Sequence, residues 1–275
     1  MSTIFISLLI YKANLDEIIK SITMLVINSQ DNLLSFAITD NDNGKQLDEL
    51  KGIIDKAFTN NFIYIASPNV GYGKGHNLAF DTVKSQDFDY FVCANPDGIF
   101  HPDCINNMVT FAKSVDNKGI FEALQFPVEH PKYYCKDTFQ TDWCSGCCIM
   151  FPKQIYQQLQ GFSKDFFLYC EDVDISWRAR ALGYKCYTVG TAKFAHFVDT
   201  KNRDMTKQQI EMYKSGIILA KKYCSKLFEI YCRFRLRKLL PKAEIMQIGI
   251  DIKSLSGYDK IAVFKYLLHF SKVRW

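Results

Sequence analysis

In the segment Tyr90-Phe91-Val92-Cys93-Ala94-Asn95-Pro96-Asp97-Gly98, five apolar residues run directly into a polar turn. A short apolar run bounded by turn residues is typical of a buried strand. Asn-Pro-Asp-Gly is also a good β-turn sequence, and on this segment alone a turn is the better interpretation. A carboxylate at the end of a strand is nevertheless well placed to hold a divalent cation with diphosphate oxygens.

The same kind of strand recurs along the first two hundred residues, in alternation with helical patterns. Strands are predicted at Ile4–Ile10, Leu34–Thr39, Phe62–Ala66, Tyr90–Ala94, Gly119–Phe126, Cys147–Phe151 and Lys185–Val189. Helices are predicted at Leu15–Asn28, Gln46–Ala57, Gly75–Lys84, Cys104–Ser114 and Val173–Leu182. This alternation predicts an α/β sandwich around a mostly parallel sheet, which binds ligands beyond the carboxyl ends of its strands. Asp40, Asn69 and Asp97 each follow a predicted strand and are expected at that edge.

Composition indicates a globular protein, since 48% of the 275 residues are hydrophobic and 23% are charged. The stretch Met1–Ile10 lacks the basic flank of a signal peptide and is predicted to be a buried strand. No apolar run is long enough to cross a bilayer, so a cytoplasmic protein is expected. The ten cysteines lie mostly in apolar segments and are predicted to be reduced. Cys144-x-x-Cys147-Cys148 lacks a second Cys or His pair, which argues against zinc.

The chain changes character near residue 204, which predicts a domain at 1–203 and a helical region at 204–275. A long helical stretch, Ile210–Leu240, carries seven basic residues between Lys221 and Lys238 against one acid, Glu229. A basic helix with interleaved aromatic residues suits the anionic inner surface of a membrane. A solvated helix face packed on the core remains open as an alternative. No known nucleic-acid-binding motif is present, so nucleic acid is not an expected partner.

Three carboxylates crowd into four residues in Phe166-Phe167-Leu168-Tyr169-Cys170-Glu171-Asp172-Val173-Asp174. Crowded acids beside an apolar run cost Coulomb and desolvation energy, so such a cluster is typical of a cation site or a general base. Asp174 and Arg178 have the spacing of a helical salt bridge. The acidic neighbours are expected to raise the pKa of Asp172 into a range that suits a base.

A glycine-rich loop, Asn69-Val70-Gly71-Tyr72-Gly73-Lys74-Gly75-His76-Asn77, leads into a predicted helix. Glycines let the backbone approach a ligand closely, and a helix N-terminus favours anionic groups. The spacing fits neither a phosphate-binding P-loop nor a dinucleotide fingerprint. Alone, the loop is therefore as well explained by a simple turn into a helix.

Together these motifs resemble the family 2 glycosyltransferases, and the rhamnosyltransferase-like branch in particular. The resemblance covers roughly residues 3–200 and rests on the order of the elements. These elements are Asp40-Asn41, Asn69-x-Gly71-x-Gly73-x-Gly75-x-Asn77, Asn95-Pro96-Asp97, Trp143-x-x-Gly146, Gly161-Phe162, Phe167-x-Tyr169-x-Glu171-Asp172-x-Asp174, Arg178, Gly183-Tyr184 and His196. It implies a GT-A fold, a nucleotide-sugar donor, Mg²⁺ or Mn²⁺, and inversion at the anomeric carbon.

The resemblance also implies a role for each motif residue. Asp172 is the expected catalytic base, and Asp97 and His196 are the expected metal ligands. Asn95 stands where the family often has an acid, so the metal should bind weakly without donor. Donor-binding residues are expected to be Asp40, Asn69, Gly71, Gly75, Asn77 and Asn95, and acceptor-binding residues Trp143, Glu171 and Asp174.

The expected reaction moves a sugar from dTDP-rhamnose or a UDP-hexose to a lipid-linked glycan, with polyprenyl diphosphate as the expected carrier. Two alternatives stay open at this point. A nucleotidyltransferase also uses a strand-end Asp and a metal, but it would normally show a basic glycine-rich loop near the N-terminus, and Ser7–Asn14 has none. A non-catalytic nucleotide-sugar-binding protein would not need Asp97, Asp172 and His196 together.

Overall fold

The structure is a computed structural model that describes residues 1–29, 31–196 and 205–270. One nine-stranded sheet dominates this part of the chain. The strand order is β3-β2-β1-β4-β8-β6-β9-β5, with β7 paired to β9. The first four strands in this order are parallel, and β6 and β9 run in the same direction as they do. The strands are β1 (Thr3–Ile10), β2 (Leu33–Asp40), β3 (Asn61–Ala66), β4 (Tyr90–Ala94), β5 (Gly98–Phe100), β6 (Gly119–Phe126), β7 (Gln140–Thr141), β8 (Cys148–Pro152) and β9 (Lys185–His196).

Helices cover both faces of this sheet, so β4 and β8 are buried along their whole length. One core cluster joins α1 and α4 to the sheet, and a second joins α3, α5 and part of α6. The helices are α1 (Leu15–Asn28), α2 (Leu47–Ala57), α3 (Tyr72–Val83), α4 (Cys104–Ser114), α5 (Lys153–Gln158), α6 (Glu171–Ala181), α7 (Met205–Lys222), α8 (Lys226–Leu236), α9 (Lys242–Gln247) and α10 (Lys260–His269). The predicted α/β sandwich with a mostly parallel sheet is confirmed.

Element boundaries differ from the prediction at several places. Helix α3 begins at Tyr72 instead of Gly75, because Gly71 (φ 89°) turns the chain into the helix three residues earlier. Strand β9 continues seven residues past Val189, to His196. The short elements β5, β7 and α5 were not predicted, since each is too brief to show a period.

The C-terminal helices share a third core cluster with the α/β part. Trp143, Val173 and Trp177 from the α/β part pack there with Tyr223 and Tyr266. The predicted domain boundary at 203/204 lies outside the described residues, and the division into two domains stays a prediction. The stretch Ile210–Leu240 is helical as expected, but two helices form it, because the chain breaks between α7 and α8 around Cys224, which has a positive φ of 54°.

Several basic residues of the C-terminal region bind inside the protein instead of facing solvent. Lys222 is buried and pairs with Asp174 at 3.0 Å. Arg233 pairs with Glu229, and Arg235 lies over the rings of Tyr213 and Tyr231. Packing therefore uses part of the basic charge that the sequence places between Lys221 and Lys238.

All ten cysteines are free, and most of them are buried. Among the described residues, no helix has the length and apolarity needed to span a membrane.

Candidate active site

Polar residues gather at the edge of the sheet where the parallel strands end. Strand β2 ends at Asp40 and β9 ends at His196, and Asn95 directly follows β4. The antiparallel strand β5 begins at this edge, where Gly98 pairs with His196 and brings Asp97 beside it. The sheet register therefore assembles residues that are about a hundred positions apart in sequence.

His196 is the centre of a polar group at this edge. Its Nε2 lies 3.5 Å from Asp97 Oδ1 and 3.2 Å from the side-chain amide nitrogen of Asn95. Its Nδ1 lies 3.6 Å from the Sγ atom of Cys147. Burial alone would lower the pKa of His196, but Asp97 and Cys147 outweigh it and raise the pKa to about 10. The structure thus brings together the two expected metal ligands, Asp97 and His196, and the expected donor-side residue Asn95.

The loop 143–147 connects this group to the predicted base. The backbone N–H of Gly146 donates to Asp172 Oδ2 at 2.9 Å, while the next residue, Cys147, contacts His196. The carbonyl of Cys147 accepts the Asn95 N–H at 2.9 Å. Consecutive Cα atoms lie only about 3.8 Å apart. Asp172 and the Asp97–His196 pair are therefore held at neighbouring points of the same loop.

Asp172 lies in the first turn of α6 with its carboxylate partly exposed. Its second oxygen, Oδ1, accepts the Val173 N–H at 2.8 Å. Burial raises the pKa of Asp172 to about 6, opposed by the N–H groups of Gly146 and Val173 and by the charge of Lys132. The raised pKa was expected, but its main cause is burial and not the acidic neighbours in sequence. The result is a carboxylate suited to accept a proton near neutral pH.

The other two acids of the cluster occupy different surroundings. Glu171 is buried against α3, its Oε2 has no hydrogen-bond partner, and burial raises its pKa well above the usual range. Asp174 is fully buried and bonded to Arg178 at 2.8 Å, to Lys222 at 3.0 Å and to the Tyr223 hydroxyl at 3.1 Å. The salt bridge predicted for Asp174 and Arg178 is confirmed. Burial argues against direct acceptor contact by either acid, and that role stays a prediction.

The glycine-rich loop packs directly on the segment that precedes α6. The Tyr72 N–H donates to the carbonyl of Phe167 at 2.9 Å, and Asn69 Oδ1 accepts the Gly71 N–H at 3.2 Å. A Cβ on Gly71 would lie 2.0 Å from the same Phe167 oxygen. Only glycine fits there, since this position also requires a positive φ. The Tyr72 hydroxyl donates to the carbonyl of Gly146, which links the loop to the base.

Two other loop residues, predicted to bind donor, have structural contacts instead. A Cβ on Gly75 would lie 2.3 Å from Leu9 of β1, so this glycine lets α3 approach the sheet. The Asn77 side chain donates to the Phe162 carbonyl at 2.8 Å and accepts the Phe162 N–H at 2.9 Å. Direct donor contact by either residue stays a prediction, because the contacts that each residue makes hold the loops in position.

Asp40 closes the loop that follows β2. Its two carboxylate oxygens accept the N–H groups of Asp42 at 2.8 Å and Gln46 at 2.9 Å, and the residue is fully buried. Neighbouring Asn41 donates to the Gly71 carbonyl at 3.2 Å, while its own Oδ1 is buried without a partner. Donor binding by Asp40 stays a prediction. The unpaired Asn41 oxygen is an additional polar group beside Asp40. Asn41 was part of the Asp40-Asn41 motif, but no role was predicted for it from the sequence.

Trp143 lines a cleft of about 270 Å³ between the segment 131–143 and helix α10. Its ring packs edge-on against Tyr266 at 5.6 Å, and Lys132 lies 4.8 Å from the ring centre. Lys132 of the cleft donates to the carbonyl of Trp143, and Trp143 lies three residues before Gly146, whose N–H binds Asp172, so the cleft lies near the base. The lining residues are Pro131, Lys132, Tyr133, Asp142, Trp143, Ala262, Lys265 and Tyr266.

A buried ion pair between Glu122 and Lys132 supports the loop that carries Trp143 and Gly146. Glu122 accepts hydrogen bonds from the Ser145 N–H and the Thr188 hydroxyl, and Lys132 donates to the Trp143 carbonyl. The sequence argument missed this pair. The available signal was a charged residue, Glu122, in the middle of the apolar strand β6.

The Asp97–His196 pair has the spacing and the atom types to hold a divalent cation. One ion can contact both residues, because Asp97 Oδ1 and His196 Nε2 are 3.5 Å apart and both atom types bind Mg²⁺ or Mn²⁺. Within residues 1–29, 31–196 and 205–270, no group of three or more His, Cys, Asp or Glu side chains is arranged to hold a metal. A six-coordinate ion would therefore take its remaining ligands from water and from a bound phosphate. The residues fit such a shared site.

The family model described as Glycosyl transferase family 2 matches residues 4–160. The rhamnosyltransferase WbbL of Escherichia coli (strain K12) is 24% identical over 176 residues, which cover 51% of this chain and 66% of that relative. The match therefore spans slightly less than two thirds of the relative.

Solved structures share the fold at low sequence identity. GalNAc-T7 with UDP, GalNAc and Mn²⁺ has a TM-score of 0.70 at 10% identity, covering 98% of this chain and 56% of that one. Mannosyltransferase PcManGT from Pyrobaculum calidifontis, in complex with GDP-Man and Mn²⁺, has a TM-score of 0.60 at 11% identity, covering 98% and 86%. TarS (1–349) of S. aureus has a TM-score of 0.56 at 10% identity, covering 91% and 70%. These similarities confirm the predicted GT-A fold.

Proposed function

The chain belongs to glycosyl transferase family 2, and on that premise we propose that it is an inverting glycosyltransferase that moves a hexose from a nucleoside-diphosphate donor to a glycan hydroxyl. The observation that carries the proposal is the loop 143–147, in which Gly146 bonds to Asp172 and Cys147 contacts His196. One loop thereby holds a base with a pKa of about 6 beside a pair of potential cation ligands.

Each end of this arrangement has one chemical task. Asp172 accepts the proton of the acceptor hydroxyl as that oxygen attacks the anomeric carbon, and the carbon–oxygen bond to the diphosphate breaks. A divalent ion on Asp97 and His196 would supply charge stabilisation for the departing diphosphate. We propose that the phosphate groups of the donor lie near the N-terminus of α3, where the helix dipole favours anions, although the N–H groups of Gly71 and Tyr72 are already bonded within the protein. We propose Asp40, Asn69 and Asn95 as the remaining donor-side residues.

The cleft beside Asp172 is the proposed acceptor site. Its aromatic residues, Tyr133, Trp143 and Tyr266, suit the apolar faces of sugar rings. Lys265, whose side chain is largely exposed at the cleft, suits an anionic group such as the diphosphate of a polyprenyl carrier, while the charge of Lys132 is already paired with Glu122. We propose a surface glycan of the O-antigen or capsule type as acceptor and dTDP-rhamnose as the first donor to test, because the matched relative from E. coli is a rhamnosyltransferase. UDP-glucose, UDP-galactose and UDP-galactofuranose are the next donors.

The decisive experiment measures nucleoside diphosphate released from a panel of these nucleotide sugars with Mg²⁺ or Mn²⁺ present. We expect release from one donor, loss of release on chelation of the cation, and loss in Asp172→Asn. Binding of nucleotide without release, with a lipid-linked glycan extract supplied, would favour a non-catalytic binding protein. Release of pyrophosphate from a nucleoside triphosphate and a sugar phosphate would favour a nucleotidyltransferase.

A further inference from the structure

Helix α8 has one buried face and one face without cover. Phe228, Cys232 and Leu236 repeat every four residues and are buried in the third core cluster. The opposite face presents Leu227, Ile230 and Phe234, whose exposed fractions are 74%, 63% and 56%. A helix that exposes three large apolar residues on one stripe is typical of a contact surface.

Positive charge flanks this stripe at both ends. Lys226 precedes Leu227, and Arg237 and Lys238 follow the helix, and all three are exposed. Helix α8 contains one acid, Glu229, and its carboxylate pairs with Arg233 at 2.9 Å. Apolar residues at the centre and cations at the rim match a surface that has an apolar interior and anionic headgroups.

We propose that this α8 stripe, formed by Lys226, Leu227, Ile230, Phe234, Arg237 and Lys238, docks the protein reversibly on an anionic phospholipid bilayer. The stripe inserts Leu227, Ile230 and Phe234 among the headgroups, and its cations contact lipid phosphates. Binding through three cations is sensitive to salt, because exposed charges are screened over about 8 Å at physiological ionic strength.

The inner face of α8 connects this surface to the acceptor cleft. The Phe228 ring packs against Tyr266 at 6.3 Å and against Phe270 at 4.6 Å. Tyr266 itself lines the cleft and packs on Trp143. Only helix α8 itself and the contact of Phe228 with Tyr266 therefore separate the docking surface from the proposed acceptor site, which suits an acceptor whose carrier is embedded in the same membrane. This last link rests on the proposed function, whereas bilayer binding does not.

Vesicle co-sedimentation tests the proposal with the full chain. We expect the protein to pellet with vesicles containing phosphatidylglycerol more than with phosphatidylcholine vesicles, and to be released by high salt. Ile230→Ser combined with Phe234→Ser should lower the bound fraction at least about fivefold, and Lys226→Ala with Arg237→Ala and Lys238→Ala should remove the preference for phosphatidylglycerol. Ile27→Ser is the matched control, because Ile27 is equally exposed (59%) but lies on α1.

Two outcomes would overturn the proposal: no pelleting with phosphatidylglycerol vesicles at low salt, or unchanged pelleting of the serine double variant. Light scattering tests a second copy of the chain as the alternative occupant of the stripe. A dimer that dissociates in Phe234→Ser would show that the stripe binds another copy of the chain and not a bilayer. Thermal melting checks that the variants fold. Nucleoside diphosphate release in solution is unaffected by the stripe variants if the proposed function is right, so the two proposals fail independently.

Discussion

Asp172 and Asp174 lie two residues apart on α6, yet they belong to different regions of the molecule. Asp172 bonds to the loop 143–147, is held by two backbone N–H groups, and has a pKa that burial raises to about 6. Asp174 faces the C-terminal helices, where Arg178, Lys222 and Tyr223 satisfy its carboxylate. A buried carboxylate with charged partners cannot be removed without leaving those charges unpaired, while a partly exposed one with a raised pKa is available for proton transfer. The surroundings of each acid, and not the crowding in sequence, separate the two roles.

The largest expected effect on activity comes from Asp172→Asn. Removal of a general base costs about 10²–10⁴-fold in turnover, which the donor-release assay measures. The fold should not suffer, because Asn keeps an acceptor for one N–H and removes a charge that the folded protein disfavours. An unperturbed Asp titrates near 3.9, so at pH 7 the ionised Asp172 costs stability, and the variant should melt at the same temperature or higher.

A variant that loses both activity and thermal stability would contradict this assignment, since it would place Asp172 among the structural acids. Asp165→Asn serves as the matched control for activity. Asp165 is a carboxylate seven residues before Asp172, outside α6, and it pairs with Lys222 on the side of the C-terminal helices.

Asp174→Ala should have the largest effect on stability. It leaves the charges of Lys222 and Arg178 without their buried partner, and breaking a buried pair costs about 3–5 kcal/mol. Denaturant unfolding measures the loss. Asp165→Ala removes the other partner of Lys222, at 2.9 Å, but that carboxylate is 41% exposed and should cost under about 1 kcal/mol. Equal losses in the two variants would show that burial does not distinguish the two carboxylates.

The pH dependence of kcat/KM should show the raised pKa of Asp172 directly. A base must be deprotonated to act, so activity falls as pH decreases through about 6, by about tenfold per pH unit below it. Above that value, activity should be level until another group titrates. The residual activity of Asp172→Asn should be independent of pH over the same range. A wild-type profile that stays level to about pH 4 would exclude a base with this pKa.

Sequence patterns predict the sheet well because burial on both faces leaves long apolar runs, as in β4 and β8. They also place Asp40 and Asp97 at one edge, since that edge follows from strand direction. His196 was expected near the cation only from the family resemblance, because the predicted strand ended at Val189. The break at Cys224 could not be predicted, because the apolar periodicity of α7 continues across it into α8. The pairing of Lys222 with Asp174 could not be predicted either, because Asp174 lies 48 positions earlier in the chain and the two residues meet only in the packed structure.

The motif residues also divide into features that the sequence predicts and contacts that only the folded structure shows. Gly71, Gly75 and Asn77 belong to one motif, but Gly71 meets the Phe167 carbonyl, Gly75 meets Leu9, and Asn77 bonds to Phe162. A glycine or an asparagine in a motif indicates that the backbone conformation or the packing requires that residue, but the sequence does not show which neighbouring residue it contacts. The Glu122–Lys132 pair had only one sequence signal, an acid within a buried strand.

The smallest expected effect comes from Gly146→Ala, which tests how tightly the loop positions the base. An added Cβ would lie 3.3 Å from the Tyr72 hydroxyl oxygen and 3.5 Å from Asp172 Cβ, so the Tyr72 ring must shift by a few tenths of an ångström. That shift moves the N–H that orients Asp172. We expect kcat to fall about threefold to tenfold with little change in KM for donor, because small displacements of a catalytic group reduce the rate strongly. Gly52→Ala on α2, where a Cβ meets nothing within 4 Å, should leave kcat unchanged. Equal kcat in the two variants would mean that Gly146 only closes a turn, and that Asp172 is oriented by the N-terminus of α6 alone.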